Sequence, residues 1–172
     1  VQWTAVGLYV VAAIYTGYCH LQYHKINIRT ITVPIKNLPP AWENRKIAHL
    51  SDLHLGSARG RAFFERVINL TNEQAADLIA ITGDLFDGAT GSQKRYMPLL
   101  GNLKADKGIL FTSGNHEVYS GIEITRNLIQ ASNVTLLDNR AVVIDGLQFL
   151  GISYPTFKNH VDFNFKDPNQ FT

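Results

Sequence analysis

At 172 residues, the chain has room for about one domain and a terminal appendage. A content of 45% hydrophobic and 17% charged residues excludes a disordered or low-complexity polymer. The 16 Lys and Arg against 14 Asp and Glu leave a net charge of +2, without the global basic field of a nucleic-acid binder, and the single cysteine, Cys19, excludes an internally disulfide-stapled scaffold.

Residues 1–19 contain no Asp, Glu, Lys or Arg. As a helix they would extend ~28 Å, close to the hydrocarbon thickness of a bilayer. Trp3 lies near one end and Tyr15, Tyr18 and Tyr23 near the other, where aromatic rings settle at membrane interfaces. A buried core helix has similar composition, but a signal peptide would show a basic start and a small-residue cleavage site, and neither is visible. Residues 1–24 are therefore expected to form a transmembrane helix with an interfacial cap, in which His20 and His24 are polar caps rather than metal ligands. Lys25, Arg29 and Lys36 precede any acid, which favours a cytoplasmic catalytic domain. The chain opens on Val1 rather than Met, so further sequence upstream is expected.

Residues 25–44 read as an edge strand (26–35) and a Pro-containing linker, and residues 45–172 as the catalytic part. Strands are expected at 46–51, 77–82 and 108–113, alternating with helices at 58–75, 92–103 and 121–131. Phe63, Phe64, Val67 and Ile68 would form one helical stripe. This alternation argues for a parallel sheet covered on both faces. Short strands at 134–137, 141–144 and 147–152 follow, with a tight Asp145-Gly146 hairpin signal, so an antiparallel meander is expected after the parallel part. Residues 157–172 read as loop.

Each predicted parallel strand runs into a cluster of metal-type ligands: Asp52-Leu53-His54, then Gly83-Asp84-Leu85-Phe86-Asp87, then Gly114-Asn115-His116-Glu117. In an open α/β sheet, ligands bind beyond the carboxyl ends of the strands, so three parallel strands bring the clusters to one edge. If extended backbone continues, Asp52 and His54 face the same way and grip one cation. Asp84 has two carboxylate oxygens with which to bridge, and Asn115 offers an amide oxygen to a second cation. Mixed nitrogen and oxygen donors suit Mn, Fe or Zn. Gly83 and Gly114 allow tight turns and close backbone approach. His49 reads as a core or sheet histidine, Arg59 and Arg61 as a solvated helix start.

These three clusters, in this order, resemble the calcineurin-like metallophosphoesterase superfamily over residues 44–155, and the preceding apolar segment resembles its membrane-associated bacterial or archaeal branch. The resemblance implies an α/β fold, a β-sandwich of mixed sheets flanked by helices. It implies two divalent ions, with Asp52 and His54 on the first, Asp84 bridging and Asn115 on the second. It further implies His116 as the acid that protonates the leaving oxygen, Asp87 orienting it, and hydroxide activated between the metals as the attacking group. Two departures shape the expected substrate. Gly88 and Tyr119 stand where phosphoprotein phosphatases carry phosphate-binding arginines, so a phosphodiester or lipid-linked phosphate is expected at a membrane lipid bilayer, with no nucleic acid. The later histidine motifs of the family are also absent, His160 following a loop sequence, so the expectation is of the amino-terminal portion of a longer enzyme, incomplete at its C-terminus, which by itself should bind metal poorly and lack activity. A non-catalytic membrane-tethered binding module of the same fold and a nuclease of the superfamily are the competing readings.

Overall fold

The computed structural model describes residues 2–23, 25–88 and 91–154. His24, His160 and the expected loop at 157–172 lie outside the described residues. The chain divides into two compact units, Val1–Pro34 and Ile35–Thr172.

The first unit is dominated by α1, Gln2–Tyr23. Its 22 residues rise ~33 Å, enough to cross a bilayer. Its large apolar side chains, including Leu8, Val11, Ile14 and Leu21, are exposed. Thr16, a polar residue within the apolar run, donates its hydroxyl to the Ala12 carbonyl at 2.8 Å and so satisfies it within the helix. Residues 26–35, expected as an edge strand, form no strand. Ile28, Ile31 and Val33 are exposed.

In the second unit, four strands follow in simple order: β1 (Ile47–Leu50), β2 (Leu78–Thr82), β3 (Ile109–Thr112) and β4 (Val134–Leu136). All pairs are parallel, with Ile47 opposite Leu78, Ile79 opposite Ile109, and Ile109 opposite Val134. The expected three-stranded antiparallel meander does not form. β4 joins the parallel sheet because α5 (Ile122–Gln130) intervenes after β3 and carries the chain back, and such a crossover restores the strand direction. Among the described residues, only β5 (Arg140–Ile144) and β6 (Leu147–Gly151) pair antiparallel. Their two-residue turn has φ of 46° at Asp145 and 81° at Gly146, the positive pair that a tight hairpin requires.

The central strands are nearly continuous apolar runs because both faces are covered. On one face, Leu78 and Leu110 pack with Trp42, Leu137 and the hairpin residues Val142, Ile144, Leu147 and Phe149. Trp42, in a 3-10 turn at Pro40–Trp42, donates its indole N–H to the Ile144 carbonyl at 2.8 Å. Alternation turns Ile79, Ile81, Ile109 and Phe111 to the opposite face, where all are buried. The helices remain to cover that face: α2 (Arg61–Glu73), α3 (Ser92–Leu100) and α5 contribute the buried Phe64, Val67, Ile68, Leu100 and Ile129. Phe63 leaves the expected stripe. It is half-buried, with the Arg59 guanidinium 5.2 Å from its ring centroid. His49 sits in β1 but is exposed, paired with the Thr82 hydroxyl at 2.6 Å.

At the amino-terminal edge of the sheet, the Asp77 carboxylate accepts the Lys46 N–H at 2.9 Å and the Arg45 guanidinium at 3.0 Å. The Lys46 amide foremost, with help from Arg45, holds its carboxyl below the ordinary aspartate value against a smaller opposing effect of burial. A depressed folded-state pKa contributes stability that is present above the unfolded value and is lost as pH falls through the folded one. Asp77→Asn is therefore expected to flatten the acid limb of stability. Melting temperatures between pH 6 and pH 2 should converge for the two proteins at the acid end.

Candidate metal centre

All three ligand clusters lie at the carboxyl ends of β1, β2 and β3 on one edge of the sheet, as parallel pairing requires. Beyond the last residues of β1 and β2 the backbones stay zipped. Asp52 N–H donates to the Gly83 carbonyl at 3.3 Å, His54 N–H to Asp84 at 2.9 Å, and Leu55 N–H to Leu85 at 2.8 Å. The fully buried Leu55, Leu85 and Phe86 anchor these loops to the core.

Asp52 and His54 do converge, but not by extended alternation. β1 ends at Leu50, and φ is 55° at Asp52, 46° at His54 and 51° at Asp84. Left-handed backbone at a non-glycine residue is uncommon, and its cost is borne only where the surroundings impose it. Here it turns three donor side chains toward one point. His54 Nε2 lies 3.9 Å from Asp52 Oδ1 and 4.0 Å from Asp84 Oδ2. One ligating atom each from His54, Asp84 and His116 lie within 4.8 Å of one another. Donors on opposite sides of a cation at about 2.0–2.2 Å stand about 4 Å apart, so His54 Nε2 and Asp84 Oδ2, 4.0 Å apart, are spaced to hold a divalent ion. Nδ1 of His116 is buried without a hydrogen-bond partner, and its ring meets that of His54 edge-on at 4.5 Å. Asp52 is the exposed member, 67% accessible, with one oxygen bonded to the Ser51 hydroxyl.

The third cluster begins a short helix absent from the sequence expectation, α4 (Asn115–Tyr119). Asn115 opens it, next to His116, whose N–H donates to Asp84 Oδ1 at 2.9 Å. That bond occupies one carboxylate oxygen of Asp84 and leaves Oδ2 facing His54. Glu117, fully buried, accepts from the N–H groups of Asp84 (2.9 Å), Phe86 (3.2 Å) and Gly114 (2.8 Å), so one carboxylate ties the second cluster to the third. Burial pushes its carboxyl above the ordinary range, against the pull of these three amides. Its position three residues after Gly114 is the capping-box spacing, a signal legible in Gly-Asn-His-Glu.

Asp87, which the resemblance makes the orienting partner of His116, accepts the Ser57 N–H at 3.0 Å, and it does not bond Nδ1. The neighbouring Gly88 brings the turn close to the imidazole: a Cβ there would stand 3.1 Å from Nδ1. Arg59 is not a solvated helix start. Its Nη1 donates to the carbonyls of Asp52 (3.1 Å) and Leu53 (3.2 Å), bracing the left-handed turn of the first cluster. Arg61 is the surface residue, paired with Glu65 at 2.7 Å. Tyr119 is 66% exposed, its ring 5.7 Å from that of His116.

Gly83 and Gly114 face each other. A Cβ on Gly83 would stand 2.7 Å from the Gly114 Cα, and one on Gly114 would stand 2.7 Å from the Asp84 amide nitrogen and collide with its carboxylate. Gly114→Ala is expected to cost about 1–3 kcal/mol as an overpacking change and to displace Asp84. Urea denaturation and Mn²⁺ titration of the variant check the two parts.

The sequence profile of the calcineurin-like phosphoesterase family matches residues 45–168. An "uncharacterized metallophosphoesterase" of Helicobacter pylori is 34% identical over 107 residues, 62% of this chain and 29% of that protein. A "transmembrane protein with metallophosphoesterase domain" of Bos taurus is 35% identical over 118 residues, 68% of this chain and 27% of its own length. A protein of the same description from Danio rerio is 30% identical over 110 residues, 63% of this chain and 25% of that one. The chain thus spans between a quarter and a third of these relatives. No solved structure matches it. With three ligand clusters gathered at one sheet edge and a profile match that covers most of the sequence, the chain belongs to the calcineurin-like phosphoesterase family.

Proposed function

We propose that the protein hydrolyses a phosphate ester, a phosphodiester or lipid-linked phosphate rather than a phosphoprotein, at a site for two divalent ions. The observation that carries this reading is the convergence of His54, Asp84 and His116 from three strand ends, with Asp52 beside them. Asp52 and His54 would hold the first ion, Asp84 would serve both, and Asn115 would serve the second. Bound there, a pair of divalent ions of the Mn, Fe or Zn type supplies activation of water at neutral pH and neutralisation of phosphoryl charge.

The chain's own groups do the rest. Asp84 is locked by the His116 amide, so its free oxygen is fixed before any ligand arrives. Protonated His116 donates to the leaving oxygen, a role worth about 10²–10⁴-fold. Asp87, seated on Ser57, holds the 87–88 turn against the imidazole. No guanidinium fork faces the site from position 88 or 119, where Gly88 and the exposed Tyr119 stand, which disfavours a phosphomonoester dianion on a protein. Helix α1 anchors the protein in a bilayer with the catalytic domain on the cytoplasmic side, since Lys25, Arg29 and Lys36 follow the helix.

The test is turnover of bis-p-nitrophenyl phosphate against p-nitrophenyl phosphate by the intact protein with Mn²⁺. Preference for the diester supports the proposal. Metal-independent turnover, or none with either substrate, opposes it.

A further inference from the structure

Ser113, Gly114, Asn115 and His116 form the turn from β3 into α4, and three of their four amides are held by carboxylates from three different parts of the chain. Glu117 takes the Gly114 N–H at 2.8 Å and Asp84 takes that of His116 at 2.9 Å. The third carboxylate is Asp138, just beyond β4. Its Oδ1 accepts the Ser113 N–H at 2.8 Å and its Oδ2 the Ser113 hydroxyl at 2.7 Å. The Asp138 side chain is 5% exposed, and Ser113 is buried. A buried carboxylate is costly unless paired and fully bonded. Arg126, on α5, supplies the pairing: its Nε donates to Asp138 Oδ2 at 3.2 Å, while its Nη1 bonds Glu123 Oε1 at 2.8 Å.

Asp138 is not among the ligand clusters, and an apolar residue at a strand end would pack without needing a buried charge. The carboxylate does what an apolar side chain does not: it fixes both polar hydrogens of Ser113, two residues before Asn115 and three before His116. Groups that orient metal ligands without touching the metal typically contribute 10–100-fold in affinity.

We infer that the Arg126–Asp138–Ser113 chain is a positioning device that sets the Asn115–His116 turn for divalent-ion binding. This rests on the metal-site reading above.

The experiment is Mn²⁺ titration of the intact protein by calorimetry, with the melting temperature of each metal-free variant recorded in parallel. Asp138→Asn is expected to weaken Mn²⁺ binding about 10–100-fold. Ser113→Ala keeps the amide bond and loses less, and Arg126→Gln falls between. Asp77→Asn breaks an ion pair at the opposite edge of the sheet and serves as the reference: it lowers stability without moving Mn²⁺ affinity. If Asp138→Asn does not fold, Ser113→Ala and Arg126→Gln decide the matter. Unchanged Mn²⁺ affinity in every folded variant, or equal weakening in Asp77→Asn, overturns the inference while leaving the metal site standing. A wild-type protein that binds no Mn²⁺ overturns both.

Discussion

Asp84→Asn is expected to lower turnover by well over about 100-fold, because losing even a group that merely orients a ligand costs up to that much. The fold should survive. Asparagine keeps an oxygen where Oδ1 accepts the His116 N–H, so the link between the second and third clusters remains. The other oxygen, Oδ2, faces His54 Nε2 at 4.0 Å, and there the amide nitrogen offers no lone pair to a cation. The oxygen proposed to serve the ions is thus removed with little change of shape. Turnover of bis-p-nitrophenyl phosphate, Mn²⁺ affinity and melting temperature together check this. Lost activity with an intact melting transition is the expected pattern, and turnover equal to wild type would remove Asp84 from the site.

Glu117 should show the opposite pattern, a loss of stability first. Three backbone N–H groups converge on its carboxylate, and glutamine presents only one oxygen to them. With that oxygen in the place of Oε2, the amides of Asp84 and Gly114 keep an acceptor while the Phe86 N–H meets an NH₂ group. One buried donor left unsatisfied costs about 1–3 kcal/mol. Relief of the desolvation that pushes the Glu117 carboxyl upward offsets part of this, so Glu117→Gln belongs at the low end of that range. Glu117→Ala strands all three donors, a loss of several kcal/mol against a typical total of about 5–15. Urea denaturation at pH 7 measures both. Equal stability of the alanine variant and wild type would show that the carboxylate does not bind these amides in solution.

The two substitutions differ because the site has two kinds of residue, and these were unequally legible in the sequence. Asp52, His54, Asp84, Asn115 and His116 stand directly after apolar strand patterns, and strand direction alone sends them to one edge. The way they converge was not legible. A spacing of two residues suggests extended backbone, whereas Asp52 and His54 occupy left-handed conformations that the loop contacts impose. Strand existence followed from apolar runs, but β4 joined the parallel sheet because a helix crossover decides direction, which no local pattern of residues 134–137 contains. The supporting groups were the least visible. Arg59 lies near its target in sequence yet looks like any solvated helix start, and Asp138 reaches Ser113 across 25 positions. Residues 26–35 show the converse: strong β-forming character made no strand, since no strand among the described residues pairs with them.

On the proposed reading, Asp52, His54, Asp84 and Asn115 would surround a pair of ions. Anomalous diffraction at the manganese edge from crystals of the intact protein grown with Mn²⁺ tests it most directly. Two peaks about 3.5–4 Å apart, each within bonding distance of Asp84 and flanked by Asp52 with His54 on one side and Asn115 on the other, are predicted. Ordered density for these side chains with no peak between them, or manganese bound only elsewhere on the molecule, would contradict it.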